Sequence, residues 1–489
     1  MSFANALQAA LNKTNTENGA VAHKTTQSFV LDFFSQAGAL RLGKTTAQAP
    51  QLFALAYAED KNLALKSLFY IRDVRGGQGE REVFRACINW IANKHPEDIE
   101  HLVAQIQEFG RWDDLFSLYG TKLENAANTV IANQLSQDIK AERPSLLAKW
   151  LKSENTSSKV SRAIARVTRQ ALRLDSKTYR KILTSLRAKI ELVEASISAN
   201  RWTDVNYSHV PSNAGKKYKN AFRKHDSERY SAFHVKVEKG EVKMNVKTLY
   251  PYEIIKETGV YAGSTLYPYA GGGVDWQYIQ NAWKSLPDYF KGKQEDMLVV
   301  ADVSGSMQGD PLFVSISLAM YAAEHNKGVW HGKFMTFSSQ PTFISFPENA
   351  TMMDKINILS KAPWNMNTDI NAVFEKVHGV ATATKSCVSR IVIVSDMEFD
   401  ACSKADKTVF EKWKAKFEKA GFEMPGIVFW NVASRNGHFA AQAHEGNVQL
   451  VSGLSPSTYE QLCENKFLTP YEYMVKVVTQ PRYDVIAVA

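Results

Sequence analysis

The chain has 489 residues, of which 45% are hydrophobic, 22% charged and 11% aromatic. That balance excludes a disordered chain, a collagen-like repeat and a pure coiled coil, and a chain of this length buries cores without disulfide staples. The net charge of +9, from 59 Lys+Arg against 50 Asp+Glu, points only weakly to an anionic partner until its distribution is known.

The first 20 residues carry neither the basic start nor the apolar run of a signal peptide. No segment reaches the roughly 18 apolar residues of a membrane span. Cys87, Cys387, Cys402 and Cys463 lie far apart with no C-x-x-C pair, so reduced thiols are expected rather than a zinc site or a disulfide framework. These features predict a cytoplasmic protein without membrane attachment, and a monomer.

After a tail over 1–27, residues 28 to about 200 read as consecutive amphipathic helices. Leu52, Phe53, Leu55, Leu63, Leu65, Leu68, Phe69 and Ile71 recur at helical spacing, as do Val83, Phe84, Cys87, Ile88 and Ile91. Short breakers such as Arg75-Gly76-Gly77-Gln78-Gly79 and Phe109-Gly110-Arg111-Trp112 separate them, which suggests an α-helical repeat array. From about 207 to 273 the texture is irregular, with a short hairpin expected over 235–246 around Lys239-Gly240. Gly271-Gly272-Gly273 marks the expected domain boundary.

Beyond residue 290 the pattern becomes strand–helix alternation. Strands are expected at 297–301, 333–337, 391–394, 427–430 and 448–451, with helices at 311–326, 352–360, 369–377 and 407–420. Apolar, β-branched strands between helices predict a doubly wound α/β sheet over 274–489. The fold class is therefore α plus α/β, with a helical half over 28–273.

The first of these strands ends in Asp302-Val303-Ser304-Gly305-Ser306, and ligands of such sheets bind beyond the carboxyl ends of strands. A carboxylate and two hydroxyls at alternating positions are hard oxygen donors, suited to Mg²⁺ or Mn²⁺ rather than zinc. Thr368, 62 residues after Ser306, starts a helix, and Asp396 follows another strand 28 residues later. Asp302, Ser304, Ser306, Thr368 and Asp396 are the candidate metal ligands. The same residue types also serve as turn and cap residues without metal. On these residues the second half resembles a von Willebrand factor A domain with a metal-ion-dependent adhesion site. The resemblance implies one divalent cation held by the five side chains, partly through water, with its octahedron completed by an acidic ligand group.

Catalysis is not expected. Hydrolysis at a metal needs a general base beside it, and the nearest histidines in sequence, His325 and His331, fall at the far end of the following helix. No Walker loop, nucleophile elbow or H-E-x-x-H is present.

The positive charge is local. Residues 141–250 hold 24 Lys+Arg against 10 Asp+Glu, a net of +14, while the rest of the chain nets −5. Arg162, Arg166, Arg169 and Arg173 fall on one helical stripe, with Val160, Ile164, Val167, Ala171 and Leu174 expected as a packing stripe on another face. Lys177, Arg180 and Lys181 extend the charge, and Lys216, Lys217, Lys219, Arg223 and Lys224 interleave with Tyr218, Phe222 and His225. Arginine rows grip phosphates and aromatic rings stack on unpaired bases, so these twelve cations are the candidate RNA-binding residues. A solvated helix face is the plainer alternative.

A helical half joined to an A domain resembles the Ro autoantigen (TROVE) architecture, and more closely a Ro-related family of unassigned function. The matching stretches are Arg72-Asp73-Val74-Arg75-Gly76-Gly77, Gly79-Glu80-Arg81, Tyr179-Arg180-Lys181 with Leu186-Arg187, Val210-Pro211-Ser212, 302–307, 395–400 and Phe429-Trp430-Asn431. The resemblance implies a ring of helical repeats sealed by the A domain, binding small structured or misfolded RNA. The expected function is thus a non-enzymatic RNA-binding scaffold with a Mg²⁺-dependent ligand site. The alternative is a metal-dependent protein-interaction adaptor that binds no RNA, and a metal-dependent nuclease is disfavoured because a second acidic metal site and a base are missing.

Overall fold

A computed structural model describes residues 11–41, 43–190, 192–262, 266–267, 273–293, 296–337, 340–362, 364, 369–399, 409–464 and 468–489. The described chain opens on a small antiparallel hairpin, β1 (Lys13–Asn15) and β2 (Val21–His23). Helices follow: α1 (Phe29–Ala37), α2 (Ala49–Glu59), α3 (Lys61–Arg72), α4 (Glu82–Lys94), α5 (Glu124–Lys140), α6 (Lys159–Ala171), α7 (Ser176–Lys189), α8 (Ser212–His225) and α9 (Ser227–Glu238). The second half alternates β3 (Met297–Asp302), α10 (Asp310–His325), β4 (Lys333–Phe337), β5 (Phe343–Ser345), α11 (Met352–Lys361), α12 (Ile370–Thr384), β6 (Arg390–Ser395), α13 (Val409–Lys419), β7 (Gly426–Asn431) and β8 (Val448–Ser452).

The chain divides into two compact units. One joins the described residues up to Ser67 with Val246–Arg482, and the other is Leu68–Asn245 with Tyr483–Ala489. Neither expected cut, after 27 or after 273, matches this division. The reason is long-range packing that no local signal announces. Helix α1 lies on the outermost strand, where the Ser452 hydroxyl donates to the Phe34 carbonyl (3.0 Å) and accepts from the Gly38 N–H (3.1 Å). An open strand edge is thereby covered.

In the sheet unit the strand order is β8-β7-β6-β3-β4-β5, parallel except for the antiparallel edge strand β5. Every residue of β3, β6, β7 and β8 is buried, as an interior parallel sheet requires. One face (Leu298, Val300, Ile391, Ile393, Phe429) packs on Val373, Phe374 and Val377 of α12 and on Trp413 and Phe417 of α13. On the other, the Ser315 hydroxyl of α10 donates to the Val394 carbonyl (3.1 Å) and Tyr459 sits edge-on to Trp430. The strands and helices expected in this half are present, the helix expected over 407–420 being described from Val409, and β5 with the helices Thr458–Glu464 and Pro470–Val478 are additions.

The same unit holds a buried carboxylate. Asp32 of α1 accepts from the Thr25 hydroxyl (2.5 Å) and the Thr26 N–H (2.7 Å), yet burial pushes its carboxyl up to about 6. An acid raised in the folded state binds more protons there than when unfolded, so its contribution falls as pH rises from about 4 to about 6. Urea midpoints of wild type minus Asp32→Asn should therefore decline across that window, and a flat difference would contradict it.

In the helical unit the irregular texture expected from about 207 gives way to helices at Ser212–His225 and Ser227–Glu238, and the hairpin expected at 235–246 is overturned. Val235 and Val237 lie inside α9, and Lys239-Gly240 ends it: Gly240 takes a φ of 73° and the Glu241 N–H returns to the Lys236 carbonyl (2.9 Å). That is a helix C-terminus with glycine in the left-handed region, whose residue types mimic a hairpin turn. Helices α8 and α9 share an aromatic core of Tyr207, Phe222, Tyr230 and Phe233.

The expected packing stripe of α6 is also corrected. Val160 is 70% exposed and Ala171 is exposed, while the buried residues are Ala165 and Thr168. The Thr168 hydroxyl meets the Tyr119 hydroxyl at 2.7 Å, so small residues set the contact face and the larger aliphatics flank it.

Candidate metal centre and basic surface

Because β3 and β6 pair in parallel with Ala301 opposite Val394, Asp302 and Ser395 stand level at the carboxyl edge of the sheet. The Ser395 hydroxyl donates to Asp302 Oδ2, and Oδ1 accepts the Ser304 N–H at 2.9 Å. The Ser304 and Ser306 hydroxyls are 3.0 Å apart. Asp396 follows β6 directly; its Oδ1 accepts the Glu398 N–H at 3.3 Å. Its Oδ2 is buried with no hydrogen-bond partner, and Arg435 Nε stands 3.7 Å from it.

Asp302 and Asp396 are 0% and 2% exposed. Burial raises both carboxyls above the usual carboxylate range, and the Asp396 charge raises Asp302 further. Two adjacent buried carboxylates, one of whose oxygens receives no hydrogen bond, and two hydroxyls form an all-oxygen donor set. A hard divalent cation fits it and would neutralise it. The structure thus brings together Asp302, Ser304, Ser306 and Asp396; Thr368 lies outside the described residues. Its neighbour Asp369 caps α12, accepting from the Asn371 N–H (2.8 Å) and the Ala372 N–H (3.2 Å).

The sequence leaves Ser395 and Glu398, beside Asp396, open between a supporting role and a plain surface position, and the structure buries both. Ser395 ends a strand parallel to β3. Glu398 is 2% exposed and accepts from Asn436 Nδ2 (2.9 Å) and the Glu17 N–H (2.7 Å). Asn18 donates to the Glu398 carbonyl (2.7 Å) and Thr16 to the Phe399 carbonyl (2.6 Å). His438 donates from Nε2 to the Met397 carbonyl (3.2 Å). These partners come from loops far away in sequence, with no motif of their own.

The basic residues separate into two kinds. Arg169 pairs with Glu154 (2.9 Å) and donates to the Leu174 carbonyl, while Arg162 donates to the carbonyls of Thr156 (2.7 Å) and Ser157 (3.1 Å). Arg187 similarly holds the carbonyls of Ala148 and Leu151. These arginines pin loops, so the expected uniform row is broken. Arg166, Arg173, Lys177, Arg180 and Lys181 are exposed, as are Lys217, Arg223 and Lys224; Lys216 and Lys219 are half-buried. Residues 159–189 contain ten Lys+Arg and one acid, Asp175.

The family described as a domain of unknown function, DUF2828, matches residues 16–144 and 136–293. The chain belongs to the DUF2828 family. Residues 296–480 of this DUF2828 protein match a second domain of unknown function, DUF7788. An uncharacterized protein of Acanthamoeba polyphaga mimivirus is 27% identical over 517 residues, covering 96% of this chain and 87% of the relative. Among solved structures, the Ro (RSR) protein of Deinococcus radiodurans covers 93% of this chain and 99% of its own at 14% identity and a TM-score of 0.49. Among the described residues no helix is long and apolar enough to cross a membrane.

Proposed function

We propose that this DUF2828 protein is a non-enzymatic RNA-binding scaffold of Ro-like type, whose sheet unit works as a von Willebrand factor A domain with a divalent-cation site. The observation that carries the RNA half is the exposed cation set on α6 and α7, in a stretch with ten Lys+Arg and one acid. Phosphates are the ligand such a surface neutralises, and Arg166 and Arg180 offer planar forks for them. Asp302, Ser304, Ser306, Asp396 and Thr368 would hold Mg²⁺ or Mn²⁺. When bound, the ion supplies an electrophilic point for an acidic group of a protein ligand. Asp302 and Asp396 bring the negative charge, Ser395 orients Asp302, and the Glu398 contacts hold the Asp396 loop. His438 is engaged with backbone and with Glu398, 3.5 Å away, which favours binding over proton transfer.

Filter binding of structured and single-stranded RNA over a salt gradient tests the RNA half. Affinity should fall steeply with salt, and reversing Arg166, Lys177, Arg180 and Lys181 to Glu should weaken binding by about 100-fold or more with unchanged thermal unfolding. Removing one cation that meets a phosphate should flatten the salt slope by ~0.7–0.9. Reversing Arg162 or Arg169 should instead destabilise the fold. No affinity at low salt would sink the reading.

A second reading, a metal-dependent adaptor without RNA, is favoured by the cation site alone, since that geometry does not involve the basic surface. Pull-downs with and without EDTA, compared with Ser304→Ala, would show metal-dependent capture of an acidic protein and no co-purifying RNA.

A further inference from the structure

The short helical turns before α8 carry a feature that the phosphate-binding reading leaves unused. Trp202 and His225 stack with ring centroids 4.7 Å apart and planes only 7° from parallel. His225 is the last residue of α8 and is exposed, while Trp202 is half-buried beneath it. The stack is held from behind. Trp202 meets Phe222 edge-on at 6.3 Å, and its indole N–H donates to Asn200. Arg229 clamps the Trp202 loop, donating to the carbonyls of Trp202 (2.9 Å) and Val205 (2.7 Å).

We propose that His225, backed by Trp202, is a stacking platform for an unpaired nucleic-acid base, a site that rests on the RNA-binding reading and names its single-stranded ligand. One face of the imidazole is covered by the indole, so a third planar ring extends the stack on the other. Every base offers a π-face for this, which makes the contact tolerant of sequence. Because the two rings are already ordered, little rotamer entropy is lost when a base joins them. The adjoining backbone phosphates meet Arg223 and Lys224, both exposed in the last turn of α8 beside His225. The nearby acids do not oppose this strongly. Asp226 is engaged by the Tyr207 hydroxyl (2.7 Å) and by Arg229 (2.9 Å), and Asp204 pairs with Arg201 at 3.4 Å, which leaves the exposed Glu228. A duplex cannot use the platform, since its bases are already stacked on each other.

The test compares the full-length protein's affinity for a 12-nucleotide oligo(U) and for an abasic strand of equal length, by fluorescence anisotropy. The abasic strand keeps the phosphates and removes the rings. Wild type should prefer oligo(U), and His225→Ala should lose about 5-fold or more of that affinity while binding the abasic strand as before. His225→Tyr, which keeps a ring, should restore the preference, and unchanged thermal unfolding should show that the surface substitution leaves the fold intact. If wild type binds oligo(U) but His225→Ala binds it equally well, the platform is refuted and the phosphate-binding surface stands. If wild type binds neither strand at low salt, both readings fall together.

Discussion

Replacing Asp302 by Asn is expected to abolish divalent-cation binding while leaving the metal-free protein at least as stable as wild type. The two effects have one cause. Without a cation, Asp302 is a fully buried carboxyl beside Asp396, and both burial and that neighbouring charge disfavour its ionised form. An amide of the same shape removes the repulsion: its carbonyl oxygen keeps the Ser304 N–H, and its NH2 donates to the Ser395 hydroxyl, which turns from donor to acceptor. With a cation the balance inverts, because the carboxylate is then the strongest donor in the set. Losing a group that only supports a ligand typically weakens metal binding by roughly 10–100-fold, and loss of Asp302 itself should exceed that. Ser395→Ala, which deletes the hydroxyl that donates to Asp302, should fall within that smaller range. Thermal unfolding with Mg²⁺ or Mn²⁺ at 100 times Kd should show about 2.7 kcal/mol of added stability in wild type and none in Asp302→Asn. Equal metal stabilisation of both proteins would make these residues ordinary turn formers.

How much of this was legible depends on how local the determinants are. The parallel strands were, because a strand buried on both faces must be an apolar run, and 297–301 and 391–394 are such runs. The metal loop was as well, since Asp302, Ser304 and Ser306 lie within one turn and Asp396 follows a recognisable strand. The support of Asp396 was not: Glu398 is fixed by residues 17, 18 and 436, and nothing within a few residues of it encodes those contacts. Helix α9 escapes a local reading because Val235 and Val237 favour strands, while the pull of Tyr230 and Phe233 into a shared aromatic core decides the outcome. On α6 the arginine periodicity is real and its meaning only partly local. Spacing places Arg162 and Arg169 on one stripe with Arg166, but only the loops at 154–157 and 174 show that two of the three are engaged by the fold.

The largest loss of stability is expected from Asp114→Ala in the helical unit. Asp114 is 0% exposed, and its Oδ2 accepts from Arg72 Nε (2.8 Å), Arg72 Nη2 (2.7 Å) and the Arg111 N–H (2.8 Å). Oδ1 accepts from Arg85 Nε at 2.7 Å. Alanine would leave the Arg72 guanidinium, 1% exposed, without its carboxylate. Breaking a buried pair by removing one partner costs about 3–5 kcal/mol, far more than the intact pair contributes against an apolar replacement. Urea unfolding of the full chain should show a loss of that size, and a loss under about 1 kcal/mol would mean that Arg72 finds water or another acceptor. Gly110→Ala probes the same centre from the backbone. A Cβ there would lie 2.3 Å from Asp114 Oδ2 and 2.9 Å from Arg72 Nε, so the pair must separate to admit it. If both substitutions lower stability while Arg75→Ala, at an exposed surface pair with Glu108, does not, the Arg72–Gly77 and Gly110–Asp114 stretches are held by a buried charge centre. Arg72 and Gly110 then answer to packing inside the helical unit, and phosphate recognition falls to exposed cations such as those of α6, α7 and α8.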